Sequence, residues 1–477
     1  MIPRVKISVS EDTANYYTTT VPFVPVVIMH TMSGNIGTKE LVRSENEFVS
    51  KFGKATVETP SAYAIQSYLR TYSYLYVTRV ASDSAAIGQA TMSVEDIDLI
   101  NFKTNYKTSL LNGTEIHLIY DKENTKLYLS TVVNSVAVSS IKETIDLSSA
   151  KADALSTALS KICDSMNAMN LGFTTTNLYV DKTAEDTVPS ITDVVTAIAG
   201  GDSGLDRVED ANVLAMVDMY AQSGMNIDVM VIPEYTSATV VNGATAKAED
   251  YGFMVITSPA SRDVSSCITD IQEYSKSESL AVYFPDVTYT NFNANIPASI
   301  AVLTAYAKND NTNKWLAPAG TTRGLLNLVS GLTVQMNDDD LDTLYNNAVP
   351  VNPIKLVDNI GYTVWGQKTT ATSDVYMDRI NISRLVKYVY KEINTISNTY
   401  LFEGITENTF TNWGLQVSAL LDKLKTGNAI SDYSYKMDNE NNTEETISQN
   451  MLIGSVRIKP VEVAEFIDID FVLTSQV

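Results

Sequence analysis

Apolar Val5, Ile7 and Val9 alternate with Lys6 and Ser8, the two-residue period of a half-buried strand, and the polar stretch from Glu11 to Thr20 behind it predicts a tether. Val21 to Met29 is almost continuously apolar, as a strand buried on both faces is. Glu40 to Arg43 is a further strand candidate. Ser44 and Glu47 stand at capping-box spacing ahead of Phe48, Val49 and Phe52, with Gly53 as a stop, which predicts a short helix. Thr59 and Pro60 open a second helix with Ile65 and Leu69 inward, and the β-branched and aromatic run from Tyr74 to Val80 predicts a strand. Around Ser84 the pattern changes to short β pieces, at Leu99 to Phe102, Glu115 to Tyr120, Leu127 to Val133, Val136 to Val138 and Leu178 to Val180. One helix is embedded among them, with Leu155, Ala158, Leu159 and Ile162 in register.

From Val213 helices and strands alternate: a helix to Gly224, strands Ile227 to Ile232 and Phe253 to Ile256, a helix Val264 to Tyr274, a strand Leu280 to Phe284 and a helix Pro297 to Lys308. Such alternation predicts α/β layers. Beyond Pro353 come a strand, Tyr362 to Trp365, and two amphipathic helices. The first carries Ile382, Leu385, Val386, Val389, Ile393 and Ile396; the second carries Phe410, Trp413, Val417, Leu420, Leu421 and Leu424, stopped by Gly427. After a polar loop, Asp438 to Glu445, two closing strands follow. Leu452, Val456 and Ile458 face away from Arg457 and Lys459; beyond Pro460, Ile467, Ile469, Phe471 and Leu473 face away from Asp468 and Asp470. Two readings of the last strand stand side by side. It is a terminal strand buried in its own sheet, or it is an edge that nothing later in the sequence covers, which invites another chain.

At 477 residues the chain divides into several domains. The expected fold class is α/β plus α+β. An arm (1–20) precedes an α/β layer-sandwich body (21–83 and 183–345), interrupted by an inserted β-rich domain (84–182). A small α+β C-terminal domain (346–464) and a terminal strand (465–477) follow. The C-terminal core is expected around Trp365, Leu385, Val389 and Trp413.

A hydrophobic fraction of 44% and a charged fraction of 19% are those of a globular protein. The formal net charge of −22 argues against a nucleic-acid surface and suits solubility at high copy number. Cys163 and Cys267 lie far apart, and Cys267 falls on an apolar helical face, so two buried thiols in a reducing compartment are expected. The N-terminal stretch has no apolar targeting region and no run reaches membrane-span length, so a cytosolic start is expected.

The candidates for chemistry are weak. His30 and His117 sit in strand-like apolar runs with no metal-ligand spacing beside them. Gly201 to Gly204 spells GDSG, which looks like a protease nucleophile loop, but no histidine is placed to act as its base; a tight turn explains the glycines. There is neither a P-loop nor a GxGxxG. Asn337 to Asp340 lacks the glycine and distal Glu of a calcium loop, so these carboxylates are expected to cap a helix. No catalytic, cofactor-binding or metal-binding residue is expected.

The chain resembles the contractile tail sheath proteins of myovirus-type phages and related injection systems. WLAPAG (Trp315 to Gly320), Arg323 and Gly324, LYNNAVPVNPIK (Leu344 to Lys355), YTVWGQKT (Tyr362 to Thr369), RINISRLVKYV (Arg379 to Val389), YLFEGITENTFTNW (Tyr400 to Trp413) and RIKPVEVAEFIDIDF (Arg457 to Phe471) follow in the family's order and spacing. ENEFVSKFG (Glu45 to Gly53), YLYVTRV (Tyr74 to Val80) and IAGGDSG (Ile198 to Gly204) are weaker echoes, and the inserted region is unmatched. The family often has Pro-Gly at its start where this chain has Pro3 and Arg4, a departure in the N-terminal arm. The resemblance implies a non-enzymatic, self-assembling subunit with no cofactor. Its terminal strands would be exchanged between neighbours, through Val5, Ile7 and Val9 at one end and Ile467, Ile469, Phe471 and Leu473 at the other. The implied partners are further copies in hexameric rings of a helical sheath, a tail tube faced by the C-terminal domain, a baseplate and a tail terminator. Neither nucleic acid nor membrane insertion is implied. The location would be the virion tail, assembled in the host bacterial cytoplasm. The rivals are an α/β hydrolase-like enzyme, which needs an oriented nucleophile, and a passive virion or adhesin component. Since no residue set suits a metal, a chelator is expected to leave the thermal unfolding midpoint unchanged; a shift in calorimetry would count against this.

Overall fold

The computed structural model describes residues 23–133, 135–372 and 376–465. The described residues form two compact units, one within 28–216 and one of 23–27 with 217–465.

In the unit of 28–216, the end of β1 (Pro25–His30) lies beside β3 (Leu75–Val80), and β3 pairs antiparallel with β2 (Glu40–Val42). Helix α1 (Glu45–Phe52) begins where Ser44 Oγ accepts from the Glu47 amide and ends at Gly53, as the capping pattern predicts; α2 (Pro60–Leu69) has its proline in the first turn. Two further sheets follow. One has β4 (Ile87–Val94), β5 (Ile97–Lys107) and β9 (Phe173–Asn177) in the order β4-β5-β9. The other has β6 (Glu115–Asp121), β7 (Lys126–Val133), β8 (Val136–Thr144) and β10 (Asp193–Ala197) in the order β10-β6-β7-β8. Helix α3 (Ala152–Ala168) contributes Leu155, Leu159, Ile162 and Met166 to one continuous core with Ile100, Phe102, Leu118, Leu129, Ile191 and Ile198. This core corrects the expected limit at Lys182, because β10 pairs with β6 and Ile198 is buried with the rest. The strand expected at Leu178 to Val180 falls instead at Phe173–Asn177. Helix α4 (Asp210–Ala221) leads out of this unit.

The other unit is built on a parallel sheet. Pro25–Val27 of β1 pair with β11 (Val229–Val231), followed in order by β12 (Met254–Thr257), β13 (Leu280–Phe284) and β16 (Val351–Val357), all parallel; β17 (Gly361–Val364) closes the edge antiparallel. Helices α5 (Ala238–Tyr251) and α6 (Val264–Ile271) connect β11 to β12 and β12 to β13, the crossover arrangement that parallel pairing requires. The strands of its centre are buried throughout, which is why they read as unbroken apolar runs. Helix α5 escapes the sequence pattern because its buried face is Val240, Val241, Ala244, Thr245 and Ala248, small residues around Gly243. β14 (Val287–Tyr289) pairs antiparallel with β15 (Val329–Leu332) across the intervening short helices α7 (Ala298–Ala301), α8 (Leu303–Asp310) and α9 (Gly320–Arg323), and the capped α10 (Asp338–Tyr345) follows. Asn337 Oδ1 accepts from the Asp340 amide, and Asp340 Oδ2 accepts from the Asn337 amide, so the acidic run is a capping box. The pairing of β16 with β13 corrects a second expected limit: residues 351–364 belong to the α/β sheet and not to the C-terminal domain. That domain's helices are α11 (Ile380–Asn398) and α12 (Glu407–Thr426), followed by β18 (Ile430–Lys436), α13 (Glu444–Ser448) and β19 (Ser455–Pro460).

The GDSG loop belongs to the first unit and is structural. Ser203 Oγ donates to Met32 O at 2.8 Å and accepts from the Ser109 amide at 3.0 Å. A Cβ at Gly201 would stand 2.1 Å from Thr108 O, and Gly204 has φ +63, so both glycines answer to a close turn. The same loop is tied down by Arg79, which is fully buried and donates to Gly34 O (2.8 Å), Lys107 O (2.8 Å) and Ser203 O (2.7 Å). Burial alone pushes the Arg79 guanidinium down to about 10, so it stays charged at neutral pH with carbonyl dipoles as its acceptors. Arg79→Ala is expected to destabilise this unit by about 3–5 kcal/mol, since three carbonyls, two of them in buried hydrogen bonds, lose a charged donor; urea unfolding followed by circular dichroism measures it, and a loss under about 1 kcal/mol would contradict the assignment.

Candidate assembly site

Helices α11 and α12 form the C-terminal platform. Leu385, Tyr388, Val389 and Ile393 of α11 meet Trp413, Val417, Leu420, Leu421 and Leu424 of α12 in one buried cluster, joined by Trp315 and Ile430. Trp413 Nε1 donates to Ser397 Oγ at 3.0 Å, giving the buried indole its polar partner. Thr406 Oγ1 caps α12 by accepting from the Thr409 amide. At the other end, the left-handed residue is Asn428 (φ 52), with Gly427 in an ordinary conformation. Of the expected core residues, Leu385, Val389 and Trp413 share this cluster, whereas Trp365 does not. Its side chain is 42% exposed beyond the edge strand β17, with Lys355 Nζ 4.4 Å from the ring centre.

On this platform lies a two-stranded sheet. β18 and β19 pair antiparallel from Ile430↔Pro460 to Lys436↔Ser455. Tyr433, Tyr435, Val456 and Ile458 form the face toward the helices, with Tyr433, Val456 and Ile458 packed on the cluster and the Tyr435 ring 6.4 Å from that of Trp413. Asp432, Ser434, Lys436, Arg457 and Lys459 form the opposite face. Among the described residues each strand has one ladder partner, so neither outer edge is paired with a further strand. The sequence pattern missed β18, although Tyr433 and Tyr435 alternate with Asp432, Ser434 and Lys436; the expected first closing strand corresponds to β19.

After Pro460 the chain runs to Glu465, which is held firmly. Its carboxylate accepts from Arg379 Nε (2.7 Å), Tyr345 OH (3.0 Å) and Gln367 Nε2 (3.1 Å). Arg379 also pairs with Asp378, and Lys368 sits 4.2 Å from the Tyr345 ring centre while donating to Tyr345 O. Burial opposes the Arg379 charge, but Glu465 and Asp378 more than offset this and hold it above its ordinary range. Burial, with Arg379 nearby, lowers Lys368; burial, with Glu465 nearby, raises Tyr345. No sequence signal marks Glu465, since its partners lie far away along the chain. Val5, Ile7, Val9, Ile467, Ile469, Phe471 and Leu473 lie outside the described residues.

The candidates for chemistry are scattered. Burial, with Arg79 nearby, pushes His30 down to about 4, and His117 Nε2 lies 3.4 Å from Glu115 Oε2. Burial pushes the free Cys163 and Cys267 thiols up to about 11 and about 12. Among the described residues no group of three or more His, Cys, Asp or Glu side chains is placed to hold a metal ion, and no helix is long and apolar enough to cross a membrane.

Residues 372–474 match the phage tail sheath C-terminal domain family. The tail sheath protein of Vibrio phage KVP40 is 30% identical over 189 residues, 39% of this chain and 28% of that relative's length. The sheath complex of an extracellular contractile injection system (PVC) in its contracted state shares the fold with a TM-score of 0.56 at 16% identity, covering 100% of this chain and 98% of that one. The crystal structure of a sheath tail protein from Desulfitobacterium hafniense gives a TM-score of 0.60 at 10% identity over 91% of this chain and 93% of that one. The C-terminal region thus matches a tail sheath domain family, and the mixed α/β, multi-sheet fold of the chain is similar to that of these sheath structures. The family matched is a structural one, not an enzyme family.

Arg379→Met keeps the stem and removes the donor to Glu465. Losing one half-buried charged bond of about 1–3 kcal/mol should speed exchange of the Val461 amide, which donates to Ala429 O, by roughly ten- to a hundredfold while global melting barely moves; exchange mass spectrometry reads the first and calorimetry the second.

Proposed function

We propose that the chain is the structural subunit of a contractile sheath, polymerising helically with further copies of itself around a tail tube and shortening to drive that tube through a host envelope. The observation that carries this is the juxtaposition, on the C-terminal platform, of a sheet with two strands among the described residues and a chain exit pinned at Glu465. A two-stranded ribbon is marginal alone and gains from a third strand. A segment leaving from a fixed point is oriented toward a neighbour at lower entropic cost than one leaving from a loose end. In this reading Ile467, Ile469, Phe471 and Leu473 form the donated strand, Val5, Ile7 and Val9 form the second arm, and residues 11–20 are the hinge. The β-rich segment beginning near Ser84 is an outer domain. Baseplate and terminator proteins cap the polymer, and the assembly belongs to a virion tail or equivalent particle put together in the host bacterial cytoplasm.

Contraction then follows from packing. Each donated strand supplies four or five ladder hydrogen bonds at about 1 kcal/mol net each, weak singly and strong when every copy repeats it. Linked by such arms, nearly rigid bodies pass between two lattice packings without losing connectivity, provided the second is lower in free energy. The matching C-terminal domain and shared sheath fold support this over an enzyme or a passive coat component.

The test replaces Ile469 and Phe471 with Asp, or deletes residues 466–477. A donated strand adds little to its own subunit, so monomer stability should change by under about 1 kcal/mol while tubes vanish from negative-stain micrographs. A variant that unfolds in isolation, with its folded fraction still polymerising, would show that the strand belongs to its own core.

A further inference from the structure

Helix α11 has a second face. Arg384, Lys387 and Lys391 are spaced so that they share one side of it, away from Leu385, Val389 and Ile393. With Lys314, Asp228, Tyr388 and the bare backbone of Gly252 they line a cavity of about 10 Å³, room for one small guest. We propose that this cavity binds a small monovalent anion of halide size.

Four cations, Arg384, Lys314, Lys387 and Lys391, line the cavity with one carboxylate, Asp228. Arg384 pairs with Asp310 at 2.6 Å and Lys314 with Asp228 at 2.7 Å. Among the described residues Lys387 and Lys391 make no ion pair. Lys387 Nζ donates to Ser383 Oγ (2.8 Å) and Glu278 O (3.4 Å), and Lys391 Nζ donates to Ile227 O. These acceptors are neutral, and an ammonium has three donors, so both lysines keep hydrogen-bonding capacity for a guest. Arg384 NH1 is buried with no acceptor in place. A water would satisfy donors but not charge; phosphate and sulfate exceed the space. A halide satisfies both and needs no directional partner.

The titration of the two lysines agrees. Burial holds Lys387 at about 8, with Glu278 and Glu249 opposing and Lys391 reinforcing; burial holds Lys391 at about 8, with Asp228 opposing and Lys314 and Arg384 reinforcing. Both folded values lie below the ordinary 10.5, so the stability these lysines allow is smallest below pH 8 and rises between pH 8 and 10.5. An anion that binds the charged form stabilises most below pH 8, and its benefit fades as the lysines lose their protons.

The full-length protein is melted in sodium chloride, bromide or gluconate at matched ionic strength. A saturable rise of about 2–4 °C in chloride and bromide over gluconate at pH 7, absent at pH 10 and absent in the Lys387→Met, Lys391→Met double variant, is the expected result. Bromide-soaked crystals should show an anomalous peak within hydrogen-bonding reach of Lys391 Nζ. Identical melting in all three salts, a halide effect that survives in the double variant, or an anomalous map featureless at this site overturns the proposal; the last leaves water as the guest. None of these readouts depends on polymerisation, so the inference stands or falls apart from the sheath function.

Discussion

The contact on which the C-terminal unit depends most is the ion pair between Asp310 at the end of α8 and Arg384 in the first turns of α11. Both side chains are essentially out of solvent, with Arg384 NH2 2.6 Å from Asp310 Oδ2. The guanidinium lies 5.0 Å from the Tyr306 ring centre and 5.9 Å from that of Phe23. Burial opposes its charge and Asp310 more than offsets this, holding Arg384 protonated above its ordinary range. A pair this dry adds little net stability compared with well-packed apolar groups, yet removing one partner strands the other, at a cost of about 3–5 kcal/mol. Its effect is to fix where α11 lies, because sliding the helix by one turn would break the pair and leave both charges buried.

Fixing α11 fixes what stands on both its sides. Its apolar face builds the core with α12, and that core carries the β18/β19 sheet. Its basic face closes the small cavity over Asp228, Lys314 and Gly252. Arg379, just before its first turn, holds Glu465 and so sets the point from which the terminal segment departs. Under the proposed strand donation a fixed exit matters, since imprecision at the origin would be amplified along the strand.

Buried arginines recur as organisers of irregular chain. Arg79 gathers three carbonyls, from two loops and the end of β5, that are neighbours only in space, and Arg384 joins two helices. In both cases the planar, multiply donating guanidinium does what a single ammonium cannot. The more readily deprotonated Lys387 and Lys391 line the cavity beside Arg384, where charge is adjustable.

The sequence by itself determined whatever is settled within a few residues. The Ser44 and Asn337 caps, the two long amphipathic helices, the unbroken apolar strands and the structural character of GDSG and NDDD all follow from local periodicity and local hydrogen-bonding chemistry. Tertiary structure decided what depends on distant partners. β10 joins the sheet of β6, and β16 joins that of β13, because an edge was available there and not because their sequences differ from other strands. Trp365 is exposed although its motif suggested a core residue, since burial depends on which element covers a strand's end. Glu465 was silent because Tyr345 and Gln367 lie 120 and 98 residues away, and a contact across that separation leaves no local period to read.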